Sequence, residues 1–149
     1  MSFIAVIDPG RCKCGLLLVN LENTRVIHGQ VLSSDCVEAQ LQQWNQTSKL
    51  EQILIGDGTG SQTWESQVGQ WAPSTMLIPE EGTTLRARSR YWELWPVRGW
   101  QRLLPLGMRM PPVDLDAVAA LVMLEDHLGI RFTWPGEQPD FRVKTSLAR

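Results

Sequence analysis

The chain has 149 residues, 43% apolar and 20% charged, with 14 Lys+Arg against 16 Asp+Glu and a net charge of -2. This composition excludes a disordered chain and fits one domain of ordinary size with a real core. It also excludes a strongly basic nucleic-acid binder, so any contact with nucleic acid needs a local basic face.

Phe3-Ile4-Ala5-Val6-Ile7 is an apolar run with β-branched residues, closed by Asp8-Pro9-Gly10. It predicts a buried strand over residues 3–8 that ends in a turn. Leu16 to Val19 predict a second strand, and Val26, Ile27, Val31 and Leu32 a third, weakened by Gly29. The connections are of hairpin length, so the three form an antiparallel meander. Ser34 and Asp35 offer an N-cap, with Glu38 in capping-box register to Asp35. Val37, Leu41 and Trp44 then follow helical spacing. Ile53-Leu54-Ile55 is a fourth strand ending at Gly56-Asp57-Gly58; it follows a helix, so a crossover makes it parallel to the first.

Ser61 or Thr63 can cap a second helix carrying Trp64, Val68 and Trp71, which Pro73 ends. Met76-Leu77-Ile78 is a fifth strand closed by Pro79-Glu80-Glu81, and a helix is expected over roughly 84–94. Residues 96–112 hold four prolines and two glycines and read as a long loop. Asp114 or Asp116 opens a last helix through about Leu128, with Gly129 as its C-cap. Residues 130–149 read as a mixed, loosely held tail. The order gives an α/β fold: a mixed five-stranded sheet, three antiparallel strands then two parallel, with helices on both faces.

No apolar stretch reaches the ~20 residues of a membrane span, and no secretory leader precedes the first strand, so the expected compartment is the cytoplasm. Cys12, Cys14 and Cys36 do not form an even disulfide set and lack zinc spacing, which leaves them as reduced thiols.

A carboxylate at the end of a buried strand loses hydration unless something positive compensates. Asp8 stands in that position, and Asp57, Glu80, Glu81, Asp114 and Asp116 stand at similar strand or helix ends. Two carboxylates ~4 Å apart repel by about 4 kcal/mol at an effective dielectric near ~20. A converging set therefore suits a hard divalent cation, which takes oxygen ligands. Read singly, Asp57 in Asp-Gly is an ordinary turn residue and Asp114 an N-cap. Arg86, Arg88, Arg90, Arg98, Arg102 and Arg109 interleave with Tyr91, Trp92, Trp95 and Trp100. Such a mixture suits phosphate contacts and base stacking, and equally a solvated face over core tryptophans.

With this element order the chain resembles the YqgF/RuvX family of ribonuclease H-like proteins. Asp8-Pro9-Gly10-Arg11-Cys12-Lys13-Cys14-Gly15 is similar to the family's first motif, Asp-x-Gly followed by a basic residue and a Gly. Ile55-Gly56-Asp57-Gly58-Thr59-Gly60-Ser61 is similar to its fourth-strand motif. Glu80-Glu81-Gly82-Thr83-Thr84 is similar to its Asp-Glu-Arg segment, with Glu81 where the family has Arg. Asp116-Ala117-Val118-Ala119-Ala120 is similar to the start of its last helix. The resemblance spans roughly residues 3–128 and implies a ribonuclease H-like domain over 1–129.

The resemblance also implies a metal-dependent nuclease using one or two Mg²⁺ or Mn²⁺ ions on structured RNA, such as ribosomal RNA precursors, or on branched DNA such as a Holliday junction. Asp8, Glu80 and Asp116 would be the catalytic carboxylates and metal ligands, with Asp57 and Asp114 auxiliary. Arg11, Lys13, Arg86, Arg88, Arg90 and Trp92 would meet nucleic acid, the basic residue missing at 81 being replaced by Arg86 or Arg88. A homodimer would suit a symmetric junction. The alternative is a binding module, for nucleic acid or protein, that keeps the fold and does not cut.

Overall fold

A computed structural model describes residues 1–58 and 60–147. Its elements are β1 (Phe3–Asp8), β2 (Lys13–Asn20), β3 (Arg25–Ser33), α1 (Val37–Thr47), β4 (Leu50–Gly56), α2 (Ser61–Val68), β5 (Ser74–Ile78), α3 (Thr83–Leu94) and α4 (Asp116–Leu128). The sheet runs in the order β3-β2-β1-β4-β5. β1 pairs antiparallel with β2, and β2 with β3, while β4 lies parallel to β1 and β5 parallel to β4. This is the mixed five-stranded arrangement expected, three antiparallel strands then two parallel. Among the described residues no helix is long and apolar enough to cross a membrane.

The near-continuous apolar runs of β1, β2 and β4 follow from burial on both faces. Successive side chains alternate across a strand. Ile4 and Val6 accordingly enter one core with Leu17, Val19, Leu54 and the length of α4, while Ala5 and Ile7 enter another with Leu16, Leu18, Leu41, Trp44 and Val68. α4 is the central helix: every residue from Ala117 to Leu124 is buried. A helix apolar all round has no solvent face to show, and α4 is enclosed between the sheet and α3.

The helix starts differ from expectation. No side chain caps α1; Asp35 accepts instead from Ser33 Oγ at 2.6 Å, and Glu38 accepts from Gln70. α2 and α3 begin after Gly60 and Gly82, both left-handed, with no cap from Ser61 or Thr63. α4 follows Leu115, which leaves Asp114 outside the helix. At α1 a 3-10 turn, and at α2 and α3 a left-handed glycine, sets the direction of entry, so the hydroxyl or carboxylate is free for another partner.

The tail is packed rather than loosely held. Thr133 pairs beside Arg25 and Lys144 beside Leu32, so the last segment lines the open edge of β3. Val26 N–H donates to Thr133 O at 2.8 Å and Ser33 N–H to Lys144 O at 2.9 Å. Phe132, Trp134 and Phe141 are buried, and Trp95, Trp134 and Phe141 form an edge-to-face trio with centroids 5.2–5.6 Å apart. Gly29, which weakens β3 by propensity, is where the Trp134 ring lies against the strand; a Cβ there would collide with it. Three apolar residues at irregular spacing carry no periodic signal, which is why the attachment is invisible in the sequence.

Candidate functional site

The parallel strands β1, β4 and β5 end on one side of the sheet, where open α/β sheets bind ligands. Register places the acidic residues there. Asp8 pairs with Gly15, Ile7 lies beside Ile55, and Gly56 beside Ile78, two residues before Glu80. The first residue of α4, Asp116, crosses β2 at Gly15. A Cβ at Gly15 would run into the Asp116 backbone carbonyl, so only glycine lets α4 begin this close to the end of β1. Gly56 and Gly58 play the same part for Glu80: a Cβ at Gly56 would stand 2.6 Å from Glu80 Oε2, and one at Gly58 would meet Oε1. The three glycines lie in motifs visible in the sequence, but their packing role is legible only from the fold.

Glu80 is also fixed through its backbone. Its N–H donates to Asp57 Oδ1 at 3.2 Å, and its carbonyl accepts from Thr83 Oγ1 at 2.8 Å. Asp57 N–H in turn donates to Ile78 O at 2.9 Å. Asp57 therefore acts here as the turn residue that holds Glu80 in position.

Burial pushes the Asp8 carboxyl up to about 7, aided by the negative charges of Glu80 and Asp116 and by a hydrogen bond with Glu80. Glu80 is raised as well, by burial and then by the charge of Asp57, but the bond from Asp8 opposes this. Both carboxyls are thus raised, and a hydrogen bond joins them. On the opposite flank Lys13 Nζ donates to Asp114 Oδ1 at 2.7 Å and lies 3.5 Å from Asp116 Oδ2. Its ammonium is held above its ordinary value, first by the bond to Asp114. Asp114 reaches this flank because it stands outside α4.

A proton and an ammonium are two ways to compensate an acidic cluster without a metal ion. Among the described residues no group of three or more His, Cys, Asp or Glu is arranged to hold a metal ion. The donor chemistry is nonetheless that of a hard divalent cation: Asp8, Glu80 and Asp116 are carboxylates, and Asp8 is raised first by burial and then by the negative charges of Glu80 and Asp116. The residues fit such an ion in type, with Asp8 and Glu80 already in contact and Asp116 turned toward Lys13.

The expected basic residues divide. Arg11 is exposed in the β1–β2 turn. It lines a cavity of about 540 Å³ with Gly10, Ser34, Thr63 and Trp64, a groove that the sequence did not reveal. Arg86 is exposed but bonded to Asp126 at 2.5 Å, with further bonds to the Gly82 and Glu81 carbonyls. Arg88 is half-exposed on α3. Arg90 is an internal strut: its side chain is 11% exposed, grips Glu125 through two bonds of 2.9 Å and donates to Phe132 O at 2.8 Å. Trp92 is half-buried, edge-on to Tyr91, with its indole N–H donating to Arg109 O at 3.2 Å. Tertiary partners therefore claim Arg90 and Trp92.

No protein-family model matches the sequence, and a search of curated proteins finds no match. Among solved structures the chain is similar to RuvC of Thermus thermophilus in two forms. The RuvC structure is 16% identical with a TM-score of 0.49, covering 88% of this chain and 99% of that one. The complex with a Holliday junction substrate is 16% identical with a TM-score of 0.44, covering 87% and 97%.

Proposed function

We propose that the chain is a divalent-metal-dependent phosphodiester hydrolase acting on structured RNA or branched DNA. The observation that carries this reading is the Asp8–Glu80 pair: a half-buried carboxylic acid hydrogen-bonded to a second carboxylate, beside Asp116, at the sheet end where β1, β4 and β5 stop. Such a pair has no packing role, and two glycines are kept bare to admit Glu80.

Asp8, Glu80 and Asp116 would hold one or two Mg²⁺ or Mn²⁺ ions, with Asp114 auxiliary. When bound, such ions activate water and neutralise charge on the leaving oxygen. The chain's own residues set up that chemistry. Asp8 gives up its proton on loading, so ion binding competes with protonation near pH ~7. Asp57 orients Glu80 through the backbone bond. Lys13, if an ion drew Asp116 away from it, would be free to meet a phosphate oxygen, and Arg11 is exposed in the turn just before it.

A second reading is favoured by one specific observation. Lys13 already compensates Asp114 and Asp116, and the described residues form no closed metal cluster. In that reading the fold is a binding module for nucleic acid or protein that does not cut.

Cleavage of labelled structured RNA and four-way DNA junctions with Mn²⁺ or Mg²⁺, beside Asp8→Asn, decides between them. Cutting that Asp8→Asn reduces by at least ~100-fold is expected for a metal-dependent nuclease. Binding without cutting under every metal condition leaves the module.

A further inference from the structure

We propose that the loop between α3 and α4 is an arm that holds unpaired nucleic acid through a stacking platform at Trp100 flanked by Arg98 and Arg102, an inference that rests on the nucleic-acid reading above. The loop is built rather than slack. Arg109 donates from Nε to Leu104 O at 2.9 Å and from Nη2 to Arg102 O at 3.0 Å, and Trp92 fastens Arg109 O to α3. Residues Gly99–Leu103 form a single 3-10 turn.

On this fixed frame the apolar groups face outward. Trp100 is 71% exposed and Leu103 is 89% exposed. In a 3-10 turn residues three apart eclipse, so Trp100 and Leu103 share a face. Leu106, Met108 and Met110 of the same loop are exposed as well, and a cluster of exposed apolar groups, unlike a single one, marks a contact surface.

The charge says what kind of contact. From Leu94 to Val113 there is no Asp or Glu, whereas Arg98, Arg102 and Arg109 lie within it, in a chain whose net charge is -2. Arg109 is spent on the loop's own carbonyls, but Arg98 and Arg102 are exposed. They stand two residues to either side of Trp100. A single strand presents a phosphate and a base face at each nucleotide, and an indole between guanidiniums matches both. A membrane-binding segment needs an extended amphipathic helix, and this loop holds only short turns between prolines. The arm leads in sequence directly to Asp114 and Asp116.

The test is fluorescence anisotropy without divalent metal, using a labelled four-way junction or RNA hairpin with an unpaired segment and a fully paired duplex of equal length. The proteins are wild type, Trp100→Ala, Trp100→Phe and the double variant Arg98→Ala/Arg102→Ala, all exposed positions that leave the core intact. Trp100→Ala is expected to weaken the unpaired substrate about 10-fold, with the duplex unchanged and Trp100→Phe restoring most of the loss. The double variant should lower the slope of log affinity against log salt by about 0.7 for each arginine. Unchanged binding by Trp100→Ala, equal loss on the duplex, or an effect confined to anionic vesicles or to self-association overturns the arm and leaves the nucleic-acid reading intact. Wild type that binds neither substrate overturns both.

Discussion

Asp8 is where burial and charge work against each other most directly. Its folded value of about 7 stands above the ordinary 3.8. Between these two values the folded chain binds a proton that the unfolded chain has released. Stability is therefore fully present below the unfolded value and lost as pH rises through the folded one, at up to about 1.4 kcal/mol per pH unit. Asn at this position keeps a donor toward Glu80 and cannot ionise. Thermal unfolding in chelator should show Asp8→Asn gaining on the wild type from about pH 4 to about pH 7, then holding a constant lead. A gap independent of pH would mean that Asp8 is ionised throughout. Arg90 answers to different physics. Removing it strands Glu125 in a half-buried site, so Arg90→Ala should cost about 3–5 kcal/mol in chemical denaturation. A loss of nucleic-acid affinity with stability unchanged would instead place Arg90 on the binding face. Sequence spacing put Arg86 and Arg90 on one helix face, but their carboxylate partners lie about one element away and left no local trace.

At the scale of elements, the site is a product of close approach. α4 starts against β2 only because residue 15 lacks a side chain, and the obstacle to a Cβ there is backbone. Gly15→Ala should therefore cost about 1–3 kcal/mol as the first turn of α4 lifts away. At Gly58 the obstacle is the end of the Glu80 side chain, which can swing aside. Gly58→Ala should leave the unfolding midpoint within about 0.5 kcal/mol of wild type while metal affinity falls. If both variants lose stability alike, Glu80 is held more rigidly than this contrast allows. The order of strands and helices was legible because the strands are short apolar runs closed by turn residues and the helices between them carry apolar residues at helical spacing. Helix entries were not, since Gly60 does by backbone conformation what Ser61 or Thr63 would do by hydrogen bonding, and Gly82 opens α3 in the same way. Asp8, Glu80 and Asp116 stood out singly in the sequence. Their common location needed the sheet order, and the Lys13 clasp needed the turn that carries it back over β2.

For the whole molecule, the tail decides how the sheet closes. Phe141 is fully buried among Trp95 and Trp134, although a polar segment separates it from α4. Phe141→Ala should cost about 3–5 kcal/mol. Ending the chain after Gly129 should lower the melting temperature by at least ~10 °C, since it strips Phe132, Trp134 and Phe141 from the core together. A truncated chain that melts with the full-length one would show the trio to be decoration. Irregularly spaced aromatics in a polar stretch look like surface, so this packing left no trace in the residue pattern.

The same strap imposes an order in time. β1, β2 and β3 are made first, yet one face of this meander is covered by α4, and its outer edge by residues 133 and 144. A ribosome therefore releases the founding strands long before their cover exists. The nascent chain carries an uncovered apolar sheet until α4 is made, and becomes protease-resistant only after residues 132–144 emerge.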